Sequence, residues 1–406
     1  MYLARWRRGV VMLVAPLVGV AAFAAVVLLG GPIAPLVVQR ATLFALLLVG
    51  GLFAYHVVVV ADAFAGRIGF LRGRHALDYA LLTAIVLGLV VGYWSAYRQV
   101  TTWANAIAAV FEPPAGRIVG AGTPTGGTSA PGWSGRERLN VLLLGIDTRD
   151  ASPQTENTDT IILLSLDPTA KTAAMLSIPR DTLVDIPGVG QDKVNSAYSY
   201  GGDAKKGPEL ARRTVERFLG VPIHSYAVID FAAFRQTIDS VGGVTVDVRR
   251  PLRDEDYPTA DFGIERAEFR AGPQLMDGEN ALRYARSRHD SNDFGRARRQ
   301  QLVLLALRER LALAGLFRLP GIVERVGPLV RTNFDPGKVF PLARTALSID
   351  ASEIASDVLL PCGGDAPHCE LKEENTALGY YLIPDLGKVR ALVDDLFAGR
   401  RPASAR

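Results

Sequence analysis

Several common signatures of enzymes are missing from this 406-residue sequence. It has no GxxxxGK[ST] and no GxGxxG motif, which argues against a P-loop and against a dinucleotide-binding site. It has no GxSxG elbow, so a hydrolase triad of that kind is not indicated. Zinc-finger spacing, an aromatic-interleaved basic strand and internal repeats are also missing. The sequence therefore offers no sign of a nucleic-acid-binding module or of a repeat protein.

Cysteine is nearly absent, since Cys362 and Cys369 in PCGGDAPHC are the only two. Outside the cytoplasm, two close cysteines in a loop with glycine and proline favour a small disulfide. His368 beside Cys369 raises the alternative of a metal site, but two thiols and one histidine fall short of a closed tetrahedral set. A structural disulfide is the preferred interpretation.

Charged residues are missing from three long stretches near the N-terminus, at 9–39, 41–61 and 79–97. A helix needs roughly 20 apolar residues to cross about 30 Å of hydrocarbon. We therefore predict three transmembrane helices at about 10–30, 41–61 and 78–96. A cleaved signal peptide is the alternative for the first stretch, but that stretch is long, lacks a clear small-residue cleavage site and precedes two others.

Basic residues beside these stretches predict their orientation. They are Arg5, Arg7 and Arg8 before the first stretch and Arg67, Arg72 and Arg74 between the second and third. Short cytoplasmic loops carry the excess of such residues, so we expect a multi-pass protein of the cell membrane with a cytoplasmic N-terminus. Everything after Tyr97 is then extracytoplasmic, although Arg40 is a weak exception. The net charge of +4 suits a protein beside anionic lipid and requires no nucleic acid.

Composition divides the chain into four predicted segments. They are a membrane domain at 1–97, a connector with a Gly/Pro/Ser/Thr-rich linker at 98–137, a folded domain at 138–399 and a disordered tail at 400–406. The linker composition is typical of a flexible chain rather than of a packed element. The folded domain is where we expect the chemistry.

Short apolar runs in the folded domain predict strands, and apolar residues at helical spacing predict helices. The predicted strands are 139–147, 160–167, 171–178, 225–230 and 244–248. The predicted helices are 208–220, 231–243, 278–285, 300–313 and 386–397. Pro168 and Thr169 indicate that the second and third strands are antiparallel, and Gly220 is a helix C-terminal cap position. Strands mixed with helices predict an α/β class domain, an α/β/α sandwich with a mixed sheet.

Asp147 and Asp159 are candidate metal ligands. Asp147 follows an apolar run in GIDTRD, and Asp159 precedes the next run in NTDT. Open α/β sheets bind ligands beyond the carboxyl ends of strands, and magnesium is usually held by one or two carboxylates plus substrate oxygens. The alternative is that each aspartate caps a strand or turn. Arg180 and Asp181, in SIPRDT, would taken alone form an ordinary surface ion pair.

Six of the nineteen residues in RYARSRHDSNDFGRARRQQ (283–301) are arginines. Guanidinium groups bind phosphate oxygens in pairs and stay charged at any workable pH, so this run predicts a polyanionic ligand. The alternative is a solvated basic helix. We predict one helix that begins after an N-cap at Asp277, a break around 290–295, and a second helix from Gln300 to Leu313.

Taken together, these motifs resemble the LytR-CpsA-Psr family of cell-wall glycopolymer ligases. The matching segments are LLLGIDTRD, NTDTIILLSLD, MLSIPRDT, DKVNSAYSYGG, IDSVGGVTVDV and ALRYARSRHDSNDFGRARRQQ. They follow in the family's order over about 139–305, and a looser match continues to about 399. The set of motifs is specific to this family.

The resemblance implies an extracytoplasmic, metal-dependent phosphotransferase. Its substrate is a polyprenyl-pyrophosphate-linked glycopolymer, such as a teichoic acid, which it joins to peptidoglycan by a phosphodiester. The resemblance implies that Asp147 and Asp159 bind Mg²⁺ or Mn²⁺. The residues it assigns to the pyrophosphate are Arg180, Arg286, Arg288, Arg299 and Gln300. We also expect Arg288 to be catalytic, and Asp293 is our candidate for the base that accepts the proton of the acceptor hydroxyl.

Two features depart from the family's pattern. Many members have an arginine two residues before the second aspartate, where this chain has Asn157, so that one phosphate contact is lost or comes from Arg149. Many members also have one membrane helix rather than three. Two other functions stay open: a polyprenyl-pyrophosphate phosphatase, in which water replaces the sugar hydroxyl, and a non-catalytic, membrane-anchored regulator of the envelope. The expected partners are the lipid bilayer, the lipid-linked polymer and peptidoglycan.

Overall fold

The structure is a computed structural model of the chain. It describes residues 49–58, 60, 76–111, 133, 137–147, 157–259, 263–287, 293–315, 319–334, 336–363, 368–376 and 379–400. Two compact units divide the chain, Met1–Ala108 and Ala109–Arg406. This division lies within the predicted connector at 98–137, between the predicted membrane domain and the predicted folded domain.

Helices make up the described part of the N-terminal unit. Residues 49–58 are helical, and α1 covers Ala76–Phe111. The predicted span at 10–30 lies outside the described residues, and the span at 41–61 lies only partly within them. Within the described residues, no helix combines the length and the apolar character that crossing a membrane requires. The three predicted spans are therefore not confirmed.

The C-terminal unit mixes strands and helices. The strands are β1 (Leu139–Ile146), β2 (Thr158–Asp167), β3 (Thr172–Ser177), β4 (Leu183–Ile186), β5 (Gly190–Lys193), β6 (Ser225–Asp230), β7 (Val244–Val248), β8 (Leu252–Pro258), β9 (Ile264–Phe269), β10 (Gly272–Met276), β11 (Arg331–Thr332), β12 (Ile354–Val358), β13 (Leu371–Thr376) and β14 (Gly379–Pro384). The helices are α2 (Ser196–Tyr200), α3 (Lys206–Leu219), α4 (Phe231–Ser240), α5 (Gly278–Arg286), α6 (Asp293–Ala314), α7 (Leu319–Val326), α8 (Pro336–Ser348) and α9 (Leu386–Phe397).

A six-stranded mixed sheet, in the order β11-β6-β1-β2-β3-β12, forms the centre of this unit. Strand β1 is parallel to β6 and antiparallel to β2. Strands β2 and β3 are antiparallel and close on the pair Asp167 and Thr172, so the prediction of an antiparallel pair is confirmed. Strand β12 then adds in parallel to β3. The predicted mixed sheet is confirmed.

Helices cover both faces of this sheet because its strands are apolar on both sides. Leu142, Leu163 and Leu176 point to one face and form a buried cluster with apolar residues of α3 and α9. Burial of a leucine side chain contributes roughly 1.5–3 kcal/mol. On the opposite face, Ser177 accepts a hydrogen bond from Gln301 of α6 at 2.8 Å. The arrangement is the predicted sandwich of helices around a sheet.

A second buried cluster lies beside the sheet. It brings together α4, α5 and α6 with the pairs β7–β10 and β8–β9, through residues such as Val246, Met276 and Val303. Helix α6 joins the two clusters, since its Phe294 packs into the first and its Val303 into the second. The position of α6 is therefore determined from both ends.

Helix α6 begins at Asp293, so the predicted start at Gln300 is wrong. The predicted break included Asp293 and Gly295, but both are helical. An aspartate in the first turn of a helix is favourable because it opposes the positive end of the helix dipole. Phe294, 7% exposed, anchors this turn in the core. Charged residues are so dense in this stretch that the helical spacing of its few apolar residues did not indicate the first turns of the helix.

Two predicted helix ends are confirmed. The Asp277 carboxylate accepts a hydrogen bond from the backbone N–H of Asn280 at 2.8 Å and caps the N-terminus of α5. Gly220 ends α3 in the left-handed conformation, with φ of 74°. Glycine suits this position because a side chain is strained there.

Candidate active site

Asp147 and Asp159 lie at the same end of the β1–β2 pair. The register shifts there, because Gly145 pairs with Thr160 while Ile146 pairs with Thr158. Asp159 is thus the extra residue of a β-bulge, and Asp147 directly follows the last residue of β1. Bulges commonly re-aim side chains next to active sites.

Gly145 is required for the close approach of the two strands at this bulge. A Cβ atom on Gly145 would lie 2.8 Å from the Cβ of Thr160. We expect Gly145→Ala to lower the free energy of unfolding by about 1–3 kcal/mol, and to reduce activity because the bulge carries Asp159. Urea denaturation measures the first effect. Gly321→Ala is the control, since a Cβ there meets only Arg325, at 3.8 Å; equal stability of both variants would contradict the argument.

Arg180 is the centre of a group of three carboxylates. Its Nη1 lies 2.6 Å from Asp159 Oδ1, and its Nε lies 3.5 Å from Asp293 Oδ2 and 3.6 Å from Asp181 Oδ2. Burial acts to lower the pKa of Arg180, but the hydrogen bond and charge of Asp159, together with the other two carboxylates, raise it above its ordinary value. Arg180 Nε is buried and donates no hydrogen bond within the described residues. Arg180 and Asp181 are thus part of a cluster rather than a simple surface pair.

Arg286, the last residue of α5, is held beside Asp147. Its Nη2 lies 3.7 Å from Asp147 Oδ2, and its Nη1 donates to the Tyr257 hydroxyl at 3.2 Å. The guanidinium group also lies over the Phe231 ring, 4.1 Å from the centroid. A cation over an aromatic face is stabilised by the ring's charge distribution. These contacts orient Arg286, one of the residues predicted to bind pyrophosphate, toward the end of β1.

Arg299 and Gln300 contact the end of α5. Arg299 is 8% exposed, and it donates from Nε to the Tyr284 carbonyl at 2.9 Å and from Nη2 to the Ser287 carbonyl. Gln300 Nε2 lies 3.5 Å from the Ala285 carbonyl oxygen. A cation on the last carbonyls of a helix satisfies acceptors that have no partner within the helix. Both residues therefore fix the segment that carries Arg286, and their predicted contact with pyrophosphate stays a prediction.

Arg288, predicted to be catalytic, lies outside the described residues, as does Arg149. Asn157, which stands where many family members have arginine, accepts a hydrogen bond from the Ser199 hydroxyl at 2.9 Å. Its amide therefore joins the start of β2 to α2.

Sequence reasoning missed two basic residues of this site. Arg296, 6% exposed, lies with Nη1 3.3 Å from Asp293 Oδ1 and donates from Nη2 to the Asp159 carbonyl at 3.3 Å. Its i,i+3 spacing from Asp293 would have indicated this contact had the helix been predicted. Lys193 Nζ lies 2.6 Å from Asp181 Oδ1 and 5.2 Å from the Tyr381 ring centroid. No local sequence pattern indicates the contact of Lys193 with Tyr381, because Tyr381 belongs to β14, which is remote in sequence.

Asp147 and Asp159 are the two carboxylates at this end of the sheet that would hold a divalent cation. Within the part of the chain that the structure describes, no three His, Cys, Asp or Glu side chains form a metal-binding group. Asp147 and Asp159 are 20% and 34% exposed, so both carboxylates are accessible. Two carboxylates are what magnesium commonly takes from a protein, with water and phosphate oxygens completing its octahedron.

A half-buried histidine, His368, lies outside this site, next to the disulfide between Cys362 and Cys369 that the structure contains. His368 Nε2 lies 3.0 Å from Asp357 Oδ1, and Nδ1 lies 2.9 Å from Glu370 Oε1. The hydrogen bonds to Asp357 and then to Glu370 raise the pKa of His368 to about 9, against the effect of burial. The histidine is therefore an ionised link between β12 and the loop before β13.

The raised pKa of His368 predicts how stability depends on pH. A group whose pKa is higher in the folded state stabilises the protein below its unfolded pKa, here 6.5, and this contribution is lost as pH rises through about 9. We expect the free energy of unfolding to fall by on the order of 2–3 kcal/mol from about pH 6 to about pH 10. Urea titrations across this range measure it. His368→Gln should flatten the dependence; an unchanged slope in that variant would contradict the assignment.

The fold is that of an α/β protein in which Arg180 and Arg286 meet Asp159 and Asp147 at the ends of two adjacent strands. The sequence profile of the LytR_cpsA_psr family matches residues 122–365, which is more than half of the chain. The chain belongs to this family.

Individual relatives agree with that assignment. The chain is 38% identical, over 208 residues, to the polyisoprenyl-teichoic acid–peptidoglycan teichoic acid transferase TagU of Oceanobacillus iheyensis. That match covers 50% of this chain and 61% of the relative, so the chain spans less than two thirds of that protein's length. The crystal structure of Bacillus subtilis TagV superposes with a TM-score of 0.54 at 30% identity, covering 65% of this chain and 98% of TagV. TagT bound to LI-WTA superposes with a TM-score of 0.52 at 28% identity, covering 65% and 91%.

Proposed function

We propose that this protein transfers a phospho-glycopolymer from a polyprenyl-pyrophosphate carrier to peptidoglycan and leaves a phosphodiester link. The observation that carries the proposal is the convergence of Arg180 and Arg286 with Asp147 and Asp159 at one end of β1 and β2. A pyrophosphate offers the charge and the paired oxygens that guanidinium groups bind. Similarity to proteins named as teichoic acid transferases supports the same substrate class.

In the proposed reaction, an acceptor hydroxyl attacks the phosphorus bonded to the sugar. A new P–O bond forms, the bond from this phosphorus to the bridging oxygen breaks, and polyprenyl phosphate leaves. The proton of the hydroxyl passes to Asp293, whose carboxylate is held between Arg180 and Arg296. Phosphoryl transfer depends mainly on positioning and on stabilisation of charge, and the guanidinium group of Arg180, which is 28% exposed, supplies a positive charge beside Asp159 and Asp293.

Asp147 and Asp159 are the residues that would hold a Mg²⁺ or Mn²⁺ ion. When bound, such an ion supplies Lewis-acid stabilisation of the phosphate charge. Arg180 and Arg286 are the cationic side chains paired with these two carboxylates. We expect the metal and the lipid pyrophosphate to bind cooperatively, because the cation offsets the negative charge of the pyrophosphate.

We place the catalytic domain outside the cytoplasm, behind three membrane spans with a cytoplasmic N-terminus. The three charge-free stretches and the arginines beside them support this topology. A disulfide persists in oxidising compartments, which agrees with the same placement. Protease digestion of intact spheroplasts tests it: cleavage of a C-terminal epitope supports the topology, and protection of that epitope until lysis overturns it.

Product analysis tests the proposed transfer. The full-length chain is incubated with a synthetic polyprenyl-pyrophosphate saccharide, a peptidoglycan acceptor and magnesium, and the products are followed by mass spectrometry. The proposal predicts a sugar-phosphate adduct on the acceptor. Lipid phosphate without an adduct would identify a phosphatase, and binding without turnover would identify a non-catalytic regulator.

A further inference from the structure

A cavity of about 390 Å³ is lined in part by Arg286. Helices α4 and α5 and the β8–β9 hairpin form its walls, and five of its lining side chains are charged. They are Arg235, Glu265, Glu279, Arg283 and Arg286. Binding pockets for small ligands begin at about 300 Å³, so this cavity has room for one or two sugar rings.

The charged side chains around the cavity are paired in a way that leaves both donors and acceptors accessible. Arg283 Nη2 lies 2.9 Å from Glu265 Oε1, and Arg235 Nη1 lies 2.8 Å from Glu279 Oε2. These four side chains are 32–43% exposed. Arg283 Nε is itself buried and lies 3.6 Å from Glu279 Oε1, so the accessible donors are the terminal nitrogens. The lining thus offers carboxylate acceptors beside guanidinium donors.

The chemistry of this lining selects a class of ligand. A polyprenyl chain has no groups that could compensate for the loss of water from five charged side chains. A second phosphate would pair with Arg235 or Arg283 only by displacing the glutamate that each arginine already contacts. A polyhydroxylated ligand, in contrast, donates to carboxylates and accepts from guanidinium groups with the same hydroxyls. The Tyr257 and Phe231 rings and Leu282 add apolar surface of the kind that sugar rings contact.

We propose that this cavity is a saccharide-binding subsite. Arg286 connects it to the active site, since its Nη2 faces Asp147 while its guanidinium group lies over Phe231 of the cavity wall. A phosphate bound by Arg286 therefore has its sugar within reach of the cavity. The inference that a sugar binds here depends only on the residues that line the cavity. Its connection to glycopolymer transfer depends on the proposed function. The sugar comes either from the lipid-linked donor or from the acceptor glycan.

Equilibrium titration of the full-length chain tests the subsite with three probes: polyprenyl pyrophosphate without sugar, the same lipid carrying a disaccharide, and a soluble glycan fragment of peptidoglycan. The pocket variants are Glu265→Gln and Glu279→Gln, which keep the side-chain shape but remove the charge. Glu255→Gln is the matched control, because Glu255 forms ion pairs with Arg253 and Arg266 and does not line the cavity. Melting temperatures of all variants verify folding.

A saccharide subsite predicts that both pocket variants lose roughly tenfold or more in affinity for one sugar-bearing probe, while the control does not. Loss for the glycosylated lipid assigns the cavity to the donor, and loss for the glycan fragment assigns it to the acceptor. Affinity for the sugar-free lipid stays the same in all variants. Unchanged affinity for both sugar-bearing probes in folded pocket variants would overturn the subsite. Failure of the wild type to bind the sugar-free lipid would instead contradict the proposed function.

Discussion

Arg180→Ala is expected to reduce the rate of glycopolymer transfer by roughly 10²–10³-fold, the effect of removing one preorganised donor to a developing charge. Arg180 is the only side chain in the described site that lies within 4 Å of carboxylates on β2, on the loop after β3 and on α6. Its removal also leaves Asp159, Asp181 and Asp293 close together without their shared cation. We expect kcat to fall more than KM rises, because the interaction strengthens in the transition state.

Arg138→Ala is the matched control for Arg180→Ala. Arg138 is similarly half-buried and forms an ion pair with Asp167 at 3.1 Å, but Asp167 lies at the opposite end of β2 from Asp159. We expect this variant to lose stability and to keep its kcat. Arg180→Lys adds a second comparison, since it keeps the charge but cannot bind two oxygens with a planar fork. A folded Arg180→Ala variant with wild-type kcat would exclude Arg180 from the reaction.

Asp159→Asn is expected to lower kcat/KM by roughly 10² or more, with a changed response to metal. The substitution keeps the shape of the bulge side chain but removes the charge that pairs with Arg180 at 2.6 Å. If Asp159 is a metal ligand, the magnesium concentration for half-maximal activity should rise at least about tenfold. Losing even a residue that only supports a metal's ligands typically costs about 10–100-fold in metal affinity. Titration of magnesium against initial rate measures this shift.

The metal titration separates two roles of Asp159. Loss of rate with an unchanged magnesium requirement would mean that Asp159 positions Arg180 and does not bind metal. The double variant Asp147→Asn, Asp159→Asn refines the comparison, because residues that act as one unit have strongly non-additive effects. A double variant no slower than the slower single variant supports a joint site. Additive losses would contradict it.

Local patterns predicted most elements of the folded domain. Strands β6 and β7 and helix α9 occur where the apolar spacing predicted them, and β1 ends one residue early, at Ile146. These predictions succeeded because each element buries a continuous apolar face, which a period of two or 3.6 residues reveals. The antiparallel β2–β3 pair was predicted for a similar reason, since its turn is short.

The site was harder to predict because its contacts are remote in sequence. The pairing of Arg180 with Asp159 spans 21 residues and that of Arg296 with the Asp159 carbonyl spans 137. The β-bulge that presents Asp159 also depends on the register of two strands, which sequence spacing does not determine. Residue types thus indicated a polyanion site, whereas the tertiary fold decides which arginine faces which carboxylate.

Arg299 illustrates the limit of composition most directly. The family resemblance predicts that Arg299 binds pyrophosphate, which stays a prediction, and the structure adds that its Nε donates to the Tyr284 carbonyl at the end of α5. A buried guanidinium group often serves helix ends in this way, because carbonyls there lack partners. A dense arginine run therefore also includes side chains that stabilise the backbone, and only the structure identifies them.

Phosphorus NMR of a single transfer reaction tests the central claim most directly. The account predicts that the two pyrophosphate resonances of the donor disappear together and are replaced by one lipid monoester and one diester on the peptidoglycan acceptor. The diester should be absent with Arg180→Ala. A reaction that yields two monoesters, or one that leaves polyprenyl pyrophosphate intact while sugar is transferred, would contradict phosphoryl transfer at this site.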